Sequence, residues 1–417
     1  MRAGFGKVEI TPPLGTELAG YGYYLHRTAD QVLDPLFVRA AAFEQHGERY
    51  LLVSCDCLGL SREIVGDVES ALVRECGIPS DHITLVSIHT HTGPAMKYHG
   101  GCGEVNPDYV RTVPGKIVSA CLTALNDVKE MTGLRYYRAP IQQAWAYNRA
   151  CAENPVDSFT RFFRIDRRDA PPMVLASYAC HAVCQGNIKG ISADYPGRVC
   201  AKLEERGFQA MYLNGACGDI DPIRCAKEER PARLSGFADT ICQGMEGEGV
   251  SLPLTVSGGQ VEDNLKLQPL TPDDIRRMAD AANQQETDPP GGGRVARAWE
   301  QEMLEAFDPN KTEDAFHVRY LSLGGVPIAA LPFETYTLTG MLIRQALGSK
   351  DALVLGCAEE MLGYLPTMDD YDRGSYASKD AFFLYRRIPT LRGEAERLGE
   401  ELGQKLAAAL KEGENND

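Results

Sequence analysis

The sequence predicts an α/β protein whose mixed, partly parallel β-sheets are flanked by helices, in one domain spanning residues 1–417. Two observations carry that prediction. Apolar runs of strand length alternate with amphipathic helical segments from Arg49 to beyond Arg206, the order that produces parallel strands. No segment recurs at a fixed period, which removes the solenoid and propeller classes. With 417 residues, 44% of them apolar and 24% charged, the chain can bury a large core.

Arg49–Cys55 has the apolar run of a strand, and Ser61 suits the N-cap of an amphipathic helix continuing through Cys76. Ile83–Ile88 is the next strand and completes a βαβ unit. Tyr109–Val128 has the pattern of one helix, Met173–Ala179 of a strand, Tyr195–Arg206 of a helix, Gln209–Leu213 of a strand and Pro231–Gly244 of a helix. Thr271–Glu313 is charged and helix-favouring but broken by Pro289, Pro290 and Gly291–Gly293. A helical surface insertion over about 268–314, with a turn in its middle, is the expectation there. Core sequence resumes in His317–Leu323 and Val326–Leu331, a hairpin through Gly324 and Gly325, followed by a helix over Thr335–Leu347. The last helix, Leu391–Lys411, ends in GENND, which is expected to fray.

Charge narrows the function classes. The 43 basic and 58 acidic residues give a net charge of −15, so no basic face is available for a nucleic-acid phosphate backbone. No apolar run reaches the roughly 18 residues of a membrane span; Tyr50–Leu60 is short and interrupted by Asp56. The N-terminal MRAGFGKVEITPPLG lacks the apolar core of a secretory signal, and the 13 cysteines are odd in number, so a cytoplasmic protein with reduced thiols is expected. GFGKVEI lacks the third glycine of a dinucleotide fingerprint, PPGGGR lacks the Lys-Ser/Thr of a phosphate loop, and no G-x-S-x-G elbow is present.

The sharpest local signal is SIHTHTGP, where His89 and His91 follow an apolar strand and are stopped by Gly93 and Pro94. Residues two apart share one face of an extended chain, and strand C-termini are where α/β sheets bind ligands. The pattern recurs: Val174–Cys180 ends in His181, and Val326–Phe333 is followed by Glu334. Imidazoles plus one carboxylate, with a position left open, suit a catalytic zinc site. Taken singly, His181 could equally be a core histidine and Glu334 a helix cap. Cys180 and Cys184 flank His181 but lack the second cysteine pair of a zinc ribbon. In NGACGDIDP, Asp219 or Asp221 could line a site or satisfy a turn.

In their order, these motifs resemble the catalytic domain of the neutral (non-lysosomal) ceramidases, zinc-dependent amidases that release fatty acid from N-acyl sphingosine. The similarity runs from GFGKVEITPPLG to the Tyr-rich segment near Tyr376. The resemblance implies zinc held by His89, His181, Glu334 in LPFET and Tyr364 in GYLPT. It makes His91 the acid/base, and Arg149 of AYNRACAENP and Tyr376 donors to the developing oxyanion. Asp221 in GDIDP stands where the family has a serine, and PAMKYHG replaces the family's glycine-rich continuation after His-x-His. The family's C-terminal immunoglobulin-like domain and secretion signal are not matched, so the expected substrate is a small molecule or lipid-like amide, smaller and more polar than ceramide. Two alternatives stay open at this point: a zinc hydrolase of an ester, lactone or glycosidic bond, and a ligand-binding protein without turnover.

Overall fold

The computed structural model describes residues 1–141, 143–284 and 291–416. Its principal elements are, in chain order, β1 (Arg2–Glu9), β2 (Phe37–Gln45), β3 (Glu48–Cys55), α1 (Arg62–Cys76), β4 (Ile83–Ser87), α2 (Val113–Asn126), β5 (Lys129–Pro140), β6 (Phe159–Arg167), β7 (Ala170–Tyr178), α3 (Asp194–Glu205), β8 (Gln209–Asn214) and α4 (Arg230–Gln243). They continue with β9 (Val256–Lys266), α5 (Pro272–Gln284), α6 (Gly292–Glu305), β10 (Glu313–Leu323), β11 (Val326–Ala330), α7 (Thr337–Ala346), β12 (Leu353–Leu355) and α8 (Glu394–Asn416).

Two sheets lie face to face between two layers of helices. The larger runs β8-β7-β6-β5-β1-β2-β3-β4, with Val250–Ser251 added to β5, and the smaller runs β9-β10-β11-β12. The βαβ expectation holds: β3 and β4 are parallel, in register Leu51↔Ile83 to Cys55↔Ser87, and β7 and β8 are parallel as well. Most other pairs in the larger sheet are antiparallel, so the architecture is mixed α/β.

Alternation along the strands sorts the core. Leu51, Val53 and Cys55 of β3 point to the layer that holds α1, α2, α3 and α4, whereas Leu52 points to the smaller sheet. The opposite face of the smaller sheet packs on α7 and α8 through Val318, Leu331, Ile343, Leu398 and Leu402. The edge strands of the larger sheet approach each other at their C-terminal ends, where Asn214 Nδ2 donates to the Ile88 carbonyl at 3.1 Å. That gathers several strand ends into one place.

Some boundaries differ from the sequence reading. The helix expected over Tyr109–Val128 is two, Pro107–Val110 and Val113–Asn126, because Pro114 lacks an amide hydrogen and is accommodated in a first turn. The helix expected from Thr335 begins at Thr337; Glu334–Thr335 is instead a short strand parallel to Tyr364–Leu365. Glu334 is therefore no helix cap. The last helix starts at Glu394 and continues to Asn416, through most of the GENND segment expected to fray; Asp417 lies outside the described residues. The segment expected as an insertion holds a helix pair, α5 and α6, with Ile275, Val295 and Trp299 buried. Pro289 and Pro290 of its expected turn lie outside the described residues.

Candidate metal centre

His89 follows β4, His181 follows β7, and Glu334 follows β11, all three within 2% of full burial. His89 holds a left-handed backbone, φ 62°, a strained conformation for a non-glycine residue. Its amide is tied to the Cys57 carbonyl at 3.0 Å, which fixes the turn.

Tautomers follow from the outer partners. His89 Nδ1 lies 2.7 Å from the Leu58 carbonyl and His181 Nδ1 lies 2.7 Å from the Cys217 carbonyl. A carbonyl only accepts, so both Nδ1 atoms carry hydrogen and both Nε2 atoms face inward, the arrangement usual for metal-binding imidazoles. Glu334 Oε2 sits 3.2 Å from His89 Nε2 and 3.0 Å from His181 Nε2. With neutral rings, acceptors would face an acceptor at these distances. The cluster therefore calls for a cation, either extra protons on the rings or a metal ion, and its two-nitrogen, one-carboxylate donor set fits zinc.

The electrostatics agree. Burial would raise the Glu334 carboxyl, but His89 and His181 hold it well below the usual carboxylate range. Burial also works against a charged His89, and the Glu334 carboxylate overcomes it, so that pKa is raised.

His91 completes the cluster: its ligand atom and those of His89 and His181 lie within 4.8 Å of one another, with His91 Nε2 3.4 Å from His89 Nε2. It differs from the other two in one respect. His91 Nδ1 is buried without a hydrogen-bond partner, so no outer acceptor locks its ring. The Tyr21 ring meets it edge-on at 5.0 Å, and Arg27 donates to its backbone carbonyl at 2.8 Å.

Arg149 and Tyr364 form the opposite wall. Arg149 Nη2 donates to the Tyr364 hydroxyl at 2.7 Å and to the Gly218 carbonyl at 2.9 Å, while Nη1 reaches Asp221 Oδ1 at 3.4 Å. Burial pushes the Tyr364 phenol well above its ordinary value, against the pull of Arg149. Asn148 builds the turn that presents Arg149, since its Oδ1 accepts from the Ala150 and Cys151 amides. Tyr376 is 39% exposed and meets the Tyr364 ring at 5.9 Å. All eight residues singled out in the sequence thus come together.

The two aspartates of the GDIDP loop separate. Asp219 is buried and accepts from the Thr337 amide and hydroxyl and from Asn148 Nδ2, so it clamps loops together. Asp221 faces the site. Cys180 and Cys184 take no part in a metal-type cluster among the described residues.

Sequence reading missed Tyr385, whose hydroxyl donates to Glu334 Oε1. It lies nine residues beyond Tyr376 in an aromatic-rich stretch that gave no local signal. Arg27 was missed too; it is a buried cation whose terminal nitrogens donate to the Ala19, Gly20, Ile188 and His91 carbonyls.

No protein-family model matches the sequence, and no curated protein matches it. Solved structures do match in fold. A neutral ceramidase from Pseudomonas aeruginosa superposes with a TM-score of 0.75 at 15% identity, over 99% of this chain and 74% of that one. A ceramidase complexed with C2 superposes with a TM-score of 0.74 at 17% identity, over 99% of this chain and 75% of that one. The mixed sheets and their helical layers are thus those of one known architecture, and this chain has the neutral ceramidase fold.

Proposed function

We propose that the protein is a zinc-dependent hydrolase that cleaves an N-acyl amide bond in a small or lipid-like substrate. One observation carries the reading: His89 Nε2 and His181 Nε2 converge on Glu334 Oε2 at 3.2 and 3.0 Å with their outer nitrogens locked. His89, His181, Glu334 and Tyr364 would hold the ion. When bound there, zinc supplies Lewis acidity to the hydrolysis.

The remaining residues take the proton and charge. His91, with an unpartnered Nδ1, is the acid/base: its ring accepts the proton of the attacking water and returns it to the leaving nitrogen. Arg149 Nη1 keeps one hydrogen beyond its contact with Asp221, and the half-exposed Tyr376 is a second donor, both suited to charge developing on the acyl oxygen. Burial of the cluster strengthens each of these interactions by excluding water. The solved ceramidases of the same fold support an amide as the bond cleaved.

Elemental analysis of untagged protein, beside hydrolysis of short N-acyl amides, tests the reading. About one zinc per chain, lost in His89→Ala and in Glu334→Ala together with amide cleavage, is the expected result. A folded, metal-free wild type without amide cleavage would overturn it.

A further inference from the structure

Asp221 lies on a two-stranded ribbon, Ile220–Pro222 against Ala146–Asn148, directly opposite Tyr147. Residues opposite one another in an antiparallel pair project from the same face with their Cβ atoms about 5 Å apart. Tyr147 is 36% exposed and the Asp221 side chain 14% exposed. Asp221 Oδ1 is 3.4 Å from Arg149 Nη1, on the wall of the candidate metal centre, and 3.9 Å from Nδ1, the outer nitrogen of His181.

An inventory of donors shows what that wall can accept. Arg149 Nη1 already meets Asp221, so the guanidinium charge is balanced within the protein. The Tyr21 hydroxyl, beside the same wall, is committed to the Val183 carbonyl at 3.1 Å. Arg27 spends its terminal nitrogens on backbone carbonyls. An anionic substrate group would meet a carboxylate and no free cation among these residues. A cationic group would meet one carboxylate oxygen beyond the Arg149 contact and an exposed aromatic ring, a pairing that favours ammonium ions.

We propose that Asp221 and Tyr147 form a subsite for a protonated amine on the leaving-group side of the substrate. The subsite rests on the amidase reading above, and it makes the preferred substrate an acylated diamine or amino-bearing amine. The aspartate thereby sets the sign of the accepted leaving group.

Hexanoyl amides of ethylenediamine, ethanolamine and glycine place an ammonium, a hydroxyl and a carboxylate on matched frames. Their affinities for the chelator-treated full chain, measured calorimetrically, report the subsite without turnover. Wild type is expected to bind the ammonium amide about tenfold more tightly than the hydroxyl amide and to bind the carboxylate amide least. Asp221→Asn and Asp221→Ser, checked for folding by circular dichroism, are each expected to erase the ammonium preference. Equal affinities in wild type, or a preference surviving in either folded variant, would overturn the subsite. The same amides offered to metal-loaded protein separate the two ideas. Ammonium preference without any hydrolysis upholds the subsite and overturns the amidase reading, whereas hydrolysis without preference upholds the amidase and overturns the subsite.

Discussion

Arg149 is the residue whose geometry is hardest to replace. One planar guanidinium spans Tyr364, Gly218 and Asp221, and a lysine ammonium cannot hold that fork. Arg149→Lys is expected to lower kcat for amide hydrolysis by roughly two orders of magnitude while zinc content stays at the wild-type level, checked by steady-state kinetics beside elemental analysis. Loss of zinc in that variant would mean that Arg149 acts by holding Tyr364. Away from the site, Glu359 offers a test of pH dependence. Burial pushes its carboxyl up to about 8, although the Leu85 amide donates to Oε1 at 2.9 Å, and Oε2 has no partner. The folded state therefore holds a proton that the unfolded chain releases near 4.5, so stability falls as pH rises through that window and levels off above about 8. The slope is about 1.4 kcal/mol per pH unit while only the folded state is protonated. Urea titrations of wild type and Glu359→Gln at pH 5 and pH 8 should show that decline in wild type and a smaller one in the variant. Legibility at this scale follows position: His89, His181 and Glu334 each come just after an apolar strand, a local signal, whereas Tyr385 acts through a tertiary contact that no local pattern encodes.

Elements explain a motif that composition alone could not interpret. Gly4 and Gly6 of GFGKVEI lie on β1, and a Cβ at either would stand 2.0 Å from a carbonyl oxygen of α2, at Ala124 or Ala120. The glycines let strand and helix touch backbone to backbone, a packing role that excludes the phosphate-binding use considered for such a sequence. Gly6→Ala is expected to cost about 3 kcal/mol through forced separation of β1 from α2, read from a lower denaturation midpoint at unchanged m-value. The strands and the βαβ unit around the site were readable because their apolar runs are long and bounded by turn residues. The split of α2 from Pro107–Val110 and the short strand at Glu334 were not. One depends on where Pro114 is tolerated, and the other on pairing with Tyr364, about 30 residues away in sequence.

At the scale of the whole molecule, the helix pair α5 and α6 does more than decorate a surface. Its Trp299 is fully buried, donates from Nε1 to the Arg387 carbonyl at 2.8 Å, and meets Phe382 and Phe383 edge-on at 5.4 and 5.0 Å. The same apolar cluster contains Cys217, Met361 and Tyr385, and Tyr385 donates to Glu334. The helix pair thus packs in the same cluster as the tyrosine that holds the carboxylate at the centre. A charged, glycine-broken sequence resembles an exposed appendage because its buried face is carried by few residues, chiefly Ile275, Val295 and Trp299. Trp299→Ala should cost about 4 kcal/mol by emptying the space of a large ring. If the insertion also supports the site, the same substitution weakens zinc retention against a chelator at temperatures where the protein is still folded, because Tyr385 loses the packing that aims its hydroxyl at Glu334. Trp299→Phe, which keeps an aromatic ring in the cluster, should recover most of that retention. Unchanged zinc retention in folded Trp299→Ala would confine the helix pair to stabilising the fold and leave Tyr385 positioned by His99, whose ring meets it edge-on at 4.9 Å.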